Sequence, residues 1–275
     1  AKKVKNKLPN IKNLHFVAPQ VWVWREGRVK KIKKYIDHIL LLFNFEKKYW
    51  MKENVSCELV GHPLLEIDKN YKIDVSQIIG KNKALISIFP GSRDSEVITL
   101  TPILVDFIKL MNEKYSDFLF VFHSTNSQKK NIEKILSKSS LKNFEIICDE
   151  KLKNHILRKS VFAVTKSGTV SLEISNNKIP SIIIYKMNPI NFIILKMLVK
   201  IKFANIINIA ANEMIIPELL QSKCNPKKIF ETVSNFLENH NKIDLQIRKT
   251  DEVLKTFKTK EQPSEVAANA LIKFL

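Results

Sequence analysis

Short apolar segments alternate with longer amphipathic segments along most of the chain. The short segments are rich in β-branched residues and predict buried strands at 39–43, 84–89, 118–122, 144–148, 161–165 and 181–185. The intervening segments repeat apolar residues at helical spacing and predict helices at 96–115, 128–137, 151–159 and 170–176. From Pro226 onward the pattern predicts only helices. This alternation is typical of an α/β protein with a doubly wound parallel sheet.

A weakly patterned polar stretch at 65–83 separates two parts of this pattern. The five predicted strands between Ala84 and Tyr185 suffice for one complete Rossmann-like domain, whereas the part before it has too few strands for a domain of its own. We therefore predict that residues 1–65 are the C-terminal part of a first Rossmann-like domain and that 66–250 form a second. Residues 251–275 are predicted to be a helical tail that packs back on the first domain.

The beginning of the chain adds an expectation about its extent. The sequence starts at Ala1 without a methionine, and a short basic lead runs directly into a strand-like segment at 14–17. From typical domain size, we expect an upstream portion of roughly a hundred residues of the first domain to be absent.

Basic residues strongly outnumber acidic residues. Lys and Arg total 46 against 27 Asp and Glu, which gives a formal net charge of +19. Such an excess favours an anionic partner such as a phosphorylated substrate, an anionic lipid surface or nucleic acid. A bias toward A- and T-rich codons, which enriches Lys, Asn and Ile throughout a chain, accounts for the excess equally well.

Neither the cysteines nor the histidines show metal-ligand spacing. Cys57, Cys148 and Cys224 are far apart, and the six histidines are scattered. We therefore expect reduced thiols in a cytoplasmic protein, no metal or other cofactor, and mostly structural histidines, with His62 as the exception to watch. The sequence also contains no apolar run of the length that spans a bilayer.

The loop after the predicted strand at 84–89 can bind an anion. It reads Phe89-Pro90-Gly91-Ser92-Arg93. The glycine lets the backbone approach a ligand, the free amides of the following helix favour a negative charge, and the arginine can bind phosphate through two hydrogen bonds. An ordinary strand-to-helix turn with a solvated arginine is the structural alternative.

A second loop, Lys166-Ser167-Gly168-Thr169, follows the predicted strand at 161–165. Its small side chains and amides at a helix start suit a diphosphate, and Glu173, one turn further on, can reach ribose hydroxyls. An ordinary capped helix with an acidic first turn explains the same residues equally well.

A third cluster contains Asn205-Ile206-Ile207-Asn208 and Pro217-Glu218-Leu219-Leu220-Gln221. Pro217 suits the first turn of a helix, and Glu218 would complement the dipole of that helix. Helix capping therefore explains the cluster as well as ligand binding does.

Two segments favour contact with a lipid surface. Residues 28–36 read as a basic amphipathic helix, and residues 190–203 are apolar nearly all round, interrupted by lysines that could reach lipid head groups. A solvated surface helix and a buried helix are the respective alternatives.

The order of these segments resembles that of one known family. The succession APQVWVWREGRVKKI, VGHPLL, FPGSRDSE, KSGTVSLE, IYKMNP and NIINIAANEMIIPELLQ is similar to lipid-A-disaccharide synthase, from about Leu14 to the C-terminus. The resemblance implies the GT-B architecture, with two Rossmann-like doubly wound domains of which the first is incomplete here. It also implies an inverting hexosyltransferase of lipopolysaccharide biosynthesis that joins UDP-2,3-diacylglucosamine to 2,3-diacylglucosamine 1-phosphate, giving lipid A disaccharide 1-phosphate and UDP.

The resemblance further implies roles for individual residues. The substrate- and UDP-binding residues would be Gly91, Ser92, Arg93, Ser167, Gly168, Thr169, Glu173, Asn208, Glu218 and Gln221. Arg93 would either offset charge on the departing diphosphate or bind the acceptor phosphate. The general base would belong to the absent part of the first domain, so no residue here is named as the base and the chain is expected to bind donor better than it catalyses.

Two residues depart from the family pattern. Asp94 stands where a basic or neutral residue is expected and weakens the local positive field, whereas Lys166 replaces a small residue and adds a phosphate contact.

The resemblance implies a peripheral protein at the cytoplasmic face of the inner membrane and leaves room for a homodimer. Another GT-B enzyme that acts on a UDP-aminosugar, such as an epimerase or a peptidoglycan glycosyltransferase, is the alternative. A basic nucleic-acid-binding protein is a distant alternative, because no groove-reading or base-stacking module is recognisable.

Overall fold

The computed structural model describes residues 1–24, 27–66, 83–199 and 201–274. The chain divides into two compact units. The first unit comprises Ala1–Asp68, Ile194–Lys202 and Glu252–Leu275, and the second comprises Lys69–Ile193 and Phe203–Asp251. Most of the polar stretch at 65–83, on which the predicted domain boundary rests, lies outside the described residues.

The regular elements are numbered here in chain order. The strands are β1 (Leu14–Phe16), β2 (His38–Leu41), β3 (Cys57–Leu59), β4 (Ala84–Phe89), β5 (Phe118–His123), β6 (Phe144–Ile147), β7 (Ser160–Lys166), β8 (Ser181–Tyr185) and β9 (Glu218–Leu220). The α-helices are α1 (Lys2–Lys7), α2 (Val21–Trp24), α3 (Arg28–Ile32), α4 (Lys47–Met51), α5 (Asp94–Lys114), α6 (Asn126–Leu136), α7 (Glu150–Lys159), α8 (Val170–Asn176), α9 (Pro189–Leu198), α10 (Ile206–Ala211), α11 (Pro226–Leu237), α12 (His240–Lys255) and α13 (Pro263–Ile272). Single 3-10 turns occur at Asn44–Glu46, Pro63–Leu65 and Gln221–Lys223.

The first unit is built on a short parallel sheet with the strand order β1-β2-β3. Ile39 and Trp50 are fully buried in its core. Val29 of α3 is buried in the same core, and Ile32 packs against it. The apolar side of the basic segment at 28–36 is therefore covered by protein, which favours the solvated surface helix over the lipid-binding one.

Residues from the end of the chain also pack within the first unit. Phe257 is fully buried, and its ring lies 4.9 Å from that of Phe43 between centroids. The backbone at Gly61 has a φ of +84°, and a Cβ atom there would lie 3.1 Å from the carbonyl oxygen of Phe257. Glycine suits both the positive φ and this close approach.

The second unit contains a parallel sheet with the strand order β6-β5-β4-β7-β8-β9. The five strands predicted between residues 84 and 185 form at the predicted places, with ends that differ by at most one residue. Along β4, Ile86 and Ile88 pack with α5 and α11, whereas Leu85 packs with α7 and Phe89 with α7 and α8. Helices therefore cover both faces, which confirms the doubly wound α/β fold.

One local prediction is wrong. Pro217 and Glu218 do not begin a helix: Glu218–Leu220 is β9, the edge strand beside β8. The amide of Ile183 donates to the Pro217 carbonyl oxygen at 2.8 Å, so pairing with β8 starts at the proline. A strand of three residues is too short to show period-two alternation, and a Pro-Glu pair is also typical of a helix start.

The carboxyl group of Glu46 is buried in the first unit. Glu46 is only 3% exposed, and its oxygens accept hydrogen bonds from Trp22 Nε1 at 3.1 Å and from the Phe43 amide at 3.2 Å. Burial raises the pKa of Glu46 to about 7, because these hydrogen bonds offset only part of the cost of burying its charge.

This pKa predicts how stability depends on pH. The folded chain holds the Glu46 proton more tightly than the unfolded chain, so the contribution of Glu46 to stability is present at low pH and is lost as the pH rises through about 7. Glu46→Gln should therefore raise the melting temperature at pH 8 by several degrees and at pH 5 by much less. Thermal unfolding followed by circular dichroism measures both values. The exposed carboxyl of Glu265 gives the control Glu265→Gln; equal effects of Glu46→Gln at the two pH values would contradict the prediction.

Candidate functional site

A cavity of about 340 Å³ opens at the carboxyl-terminal edge of the second unit's sheet. Its walls come from the residues that follow β6, β5, β4 and β7 and from the first turns of α5, α7 and α8. Parallel strands end at the same edge, and the strand order reverses between β4 and β7, so the loops diverge there and leave a crevice. The volume lies within the usual range of small-molecule sites.

The loop after β4 folds around one carboxylate. Glu96 in the first turn of α5 accepts a hydrogen bond from the Ser92 amide at 3.2 Å and one from Arg93 Nη1 at 3.1 Å. Gly91 has a φ of +119°, and a Cβ atom there would lie 2.5 Å from Glu96 Oε2. This arrangement therefore needs glycine at position 91.

Lys166, the last residue of β7, contacts the same carboxylate. Its Nζ lies 3.0 Å from Glu96 Oε1, and both side chains are largely buried. Burial alone would raise the pKa of Glu96, but the hydrogen bond and charge of Lys166, together with the Ser92 amide and Arg93, hold that pKa below its usual value. Glu96 is therefore charged, and the two cations that contact it exceed it by one positive charge.

Arg93 itself lies outside the cavity wall. Its side chain is 76% exposed, and Glu96 holds its guanidinium. The neighbouring Asp94 accepts a hydrogen bond from Gln128 Nε2 at 2.5 Å. Arg93 can therefore turn toward a ligand at the cost of one ion pair, and because its own side chain is largely exposed, that ion pair contributes little to stability.

The loop after β7 supplies small groups to the cavity. Gly168 and Thr169, which follow the end of β7, line the cavity wall. Ser167 points elsewhere, because its hydroxyl donates to the Ala204 carbonyl oxygen at 2.8 Å. The Gly168 carbonyl oxygen accepts from the Ser171 hydroxyl at 2.7 Å, which fixes the start of α8.

Glu173 and Lys153 form a largely buried ion pair on the cavity wall. Lys153 Nζ of α7 lies 2.8 Å from Glu173 Oε2 and 2.5 Å from Glu150 Oε2. Burial alone would lower the pKa of Lys153, but the bonds to Glu150 and Glu173 raise it above its usual value. Lys153 therefore stays charged and orients the Glu173 carboxylate within the site.

The structure places the third predicted cluster away from this cavity. Asn208 is fully buried; its Oδ1 accepts from the Ile215 and Ile216 amides, and its Nδ2 donates to Glu218 Oε1 at 2.8 Å. The Glu218 carboxylate also accepts from two backbone amides, those of residues 204 and 205, at 2.8 and 2.9 Å. Gln221 accepts from the Met187 amide at 3.5 Å. The contacts of Asn208 and Glu218 hold the segment before β9 in place, and a direct role in ligand binding remains a prediction.

His123 lies at the end of β5 and lines the cavity. Its ring is 5% exposed, stacks on that of Phe89 at 4.3 Å, and forms a hydrogen bond through Nε2 with Ser87 Oγ at 2.9 Å. Burial is the main reason that the pKa of His123 is lowered, to about 3. The nearby charge of Lys153 is the second reason. The ring is therefore neutral at physiological pH.

Sequence reasoning missed Glu96, Lys153 and His123 as cavity residues. Each resembles an ordinary structural residue in the sequence: an acid in the first turn of a helix, a lysine on a helix, and a histidine at the end of a strand. Among the described residues, no three His, Cys, Asp or Glu side chains are grouped as metal ligands.

Comparisons with known proteins point to one family. A family model described as lipid-A-disaccharide synthetase matches residues 1–273. The lipid-A-disaccharide synthase of Coxiella burnetii (strain CbuK_Q154) is 37% identical over 246 residues, which cover 86% of this chain and 62% of that protein. The lipid-A-disaccharide synthase of Rickettsia typhi (strain ATCC VR-144 / Wilmington) is 32% identical over 282 residues, which cover 98% of this chain and 72% of that protein. The chain thus spans about three fifths of the length of the Coxiella relative.

The fold has counterparts among solved structures. A glycosyltransferase from Rickettsia africae ESF-5 superposes with a TM-score of 0.58 at 12% sequence identity, covering 99% of this chain and 72% of that chain. At this identity the likeness concerns the fold alone. Together with the two parallel sheets, it identifies the GT-B class of Rossmann-like architecture.

The loop after β4 provides a stability test of the site. Gly91→Ala should lower the free energy of unfolding by about 2 kcal/mol, because it combines a positive φ with a Cβ atom that meets Glu96. Gly168→Ala is the matched control: a Cβ atom there meets nothing within 4 Å, and we expect a change within about 0.5 kcal/mol. Urea titration followed by circular dichroism measures both. Equal destabilisation by the two substitutions would contradict the proposed geometry.

Proposed function

Because the chain belongs to the lipid-A-disaccharide synthetase family, we propose that the cavity of its second unit binds the UDP moiety of UDP-2,3-diacylglucosamine. The reaction would transfer the diacylglucosamine to 2,3-diacylglucosamine 1-phosphate, with release of UDP and inversion at the sugar carbon. The observation that carries this proposal is the cavity at the strand reversal, with Lys166 in its wall and Arg93 directly after the lining residue Ser92.

The electrostatics suit a departing diphosphate. In this transfer an acceptor hydroxyl attacks the anomeric carbon from the face opposite UDP, the bond from that carbon to the diphosphate oxygen breaks, and negative charge grows on the diphosphate. Fixed positive charge in a water-poor site stabilises such a transition state. Lys166 is held in place by Glu96 at 3.0 Å, so it supplies this charge without first being ordered.

Glu173 suits the ribose of the donor. Its carboxylate lies on the cavity wall and can accept hydrogen bonds from two hydroxyl groups. The ion pair with Lys153 at 2.8 Å orients the carboxylate before the ligand arrives. We propose that Arg93, at the mouth of the site, contacts either the diphosphate of the donor or the phosphate of the acceptor.

We propose that the first unit is part of the acceptor domain. It has a parallel sheet of its own, as a Rossmann-like domain requires, and its relatives continue beyond the matched part. No residue of this chain is assigned as the general base. The activity proposed here is that of the whole protein.

We further propose that α9 attaches the protein to the cytoplasmic face of an anionic inner membrane. Ile190, Ile193 and Met197 are 58% to 74% exposed, which is unusual for large apolar side chains that recur at helical spacing. Lys202 nearby is exposed, and the chain carries a net charge of +19, so anionic head groups would be attracted. Among the described helices, none is both long and apolar enough to cross a bilayer.

The donor site is tested by calorimetric titration with UDP, with separate titrations of ADP and CDP as controls and with EDTA present throughout. We expect selective binding of UDP. Glu173→Ala should weaken it about tenfold or more, since a charged hydrogen-bond acceptor for the ribose is lost. Glu133→Ala removes an exposed carboxylate on α6 and should leave the dissociation constant unchanged. Unchanged affinity in Glu173→Ala would remove Glu173 from the site, and absence of UDP binding by the unsubstituted chain would contradict the site itself.

The membrane contact is tested by flotation with vesicles that contain anionic phospholipids. The triple variant Ile190→Ser, Ile193→Ser, Met197→Ser should recover several-fold less protein with the vesicles, because burial of apolar area and charge attraction act together in interfacial binding. The matched control is Met51→Ser, Ile98→Ser, Met214→Ser, which removes similarly exposed apolar side chains elsewhere. Equal losses in the two triple variants would contradict a specific role for α9.

A further inference from the structure

A chain of hydrogen bonds beneath the cavity fixes the protonation of His123. Ser160 Oγ lies 3.0 Å from the Ile156 carbonyl oxygen, which can only accept, so the Ser160 hydroxyl donates there. Ser87 Oγ lies 2.7 Å from Ser160 Oγ and must therefore donate to it. With its single proton used, Ser87 Oγ can only accept from His123 Nε2, which lies 2.9 Å away. Nε2 thus carries a proton.

The opposite ring nitrogen is an unused acceptor. Since the ring is neutral, a proton on Nε2 leaves a lone pair on Nδ1. Nδ1 is shielded from water, and it has no hydrogen-bond partner within the described residues, although the ring lines the cavity. A buried polar atom without a partner costs free energy that a ligand donor would recover.

Only one part of a nucleotide suits this acceptor as a hydrogen-bond partner. A lone pair repels phosphate oxygens, which carry no proton at neutral pH, so the diphosphate is not its partner. The diphosphate is proposed to lie near Lys166, at the ends of β4 and β7, whereas His123 ends β5, one strand further toward β6. The nucleoside part of the ligand would extend in that direction.

On the basis of the proposed function, we propose that His123 Nδ1 accepts a hydrogen bond from the nucleoside of bound UDP, either from uracil N3–H or from a ribose hydroxyl. His123 then makes the site specific for a nucleoside that has a hydrogen-bond donor at this position. Its ring acts in one fixed tautomer. The serines beneath it are positioning residues, because Ser160 orients Ser87 and Ser87 orients the ring.

Two substitutions separate the nitrogen atoms of the ring. His123→Gln places an amide near the position of Nε2, keeps the bond to Ser87 and removes the acceptor at Nδ1. His123→Asn places its amide oxygen near the position of Nδ1 and loses the bond to Ser87. We expect His123→Gln to weaken UDP binding roughly fivefold, the value of one neutral hydrogen bond, and His123→Asn to retain more affinity. Thermal unfolding verifies that both variants are folded.

Calorimetry with UDP, N3-methyl-UDP and 2′-deoxy-UDP identifies which group of the nucleoside donates this hydrogen bond. The unsubstituted protein should bind one analogue more weakly than UDP, and His123→Gln should abolish that difference for the same analogue alone. If N3-methyl-UDP is the analogue that shows this pattern, the contact is with the base. If 2′-deoxy-UDP shows it, the contact is with the ribose. The proposal is overturned if His123→Gln changes neither difference, or if both variants lose the same affinity, since packing or the Ser87 bond would then be responsible.

Nitrogen-15 NMR of labelled histidine gives a second, independent readout. The free protein should show an unprotonated Nδ1 for His123, and addition of UDP should shift that nitrogen in the direction of a hydrogen-bonded acceptor. A proton on Nδ1 in the free protein would overturn the tautomer assignment. Failure of the unsubstituted protein to bind UDP at all would instead contradict the proposed function, so the two failures are distinguishable.

Discussion

Parallel strands can be joined only by long crossovers, and in the second unit these crossovers run in opposite directions from the β4–β7 pair. The resulting divergence of the loops after β4 and β7 leaves a crevice between the described elements of the unit. Everything proposed for the site follows from this constraint. Glycine at position 91, Lys166 at the end of β7 and Glu173 at the start of α8 meet there because their strands end at the same edge.

Within that crevice, the carboxylates of Glu96 and Glu173 are each held by a cation. Glu96 contacts both Lys166 and Arg93, and Lys153 contacts both Glu173 and Glu150. Buried charges are costly when unpaired, so these pairs explain how a site rich in ionisable groups is compatible with folding. They also order the side chains before any ligand binds, which reduces the entropy lost on binding.

The sequence was informative where the signal is local. Strands of four or more residues, the glycine after β4 and the small residues after β7 are each recognisable within a short window. The strand β9 was not, because it has three residues and follows a proline. The partners of Glu96 and Glu173 could not be derived either, since Lys166 lies 70 positions after Glu96 in the sequence and Lys153 lies 20 before Glu173. The tautomer of His123 depends on residues from three separate elements and therefore requires coordinates.

The position of Phe257 has a consequence for biosynthesis. The first unit buries this ring against Phe43, although the two residues are separated by the whole sheet of the second unit in the chain. A ribosome releases β4 to β9 long before it releases Phe257, so the second unit can complete its sheet while the first still has an open core. During translation the first unit therefore remains a substrate for chaperones longer than the second unit does, although its synthesis begins earlier.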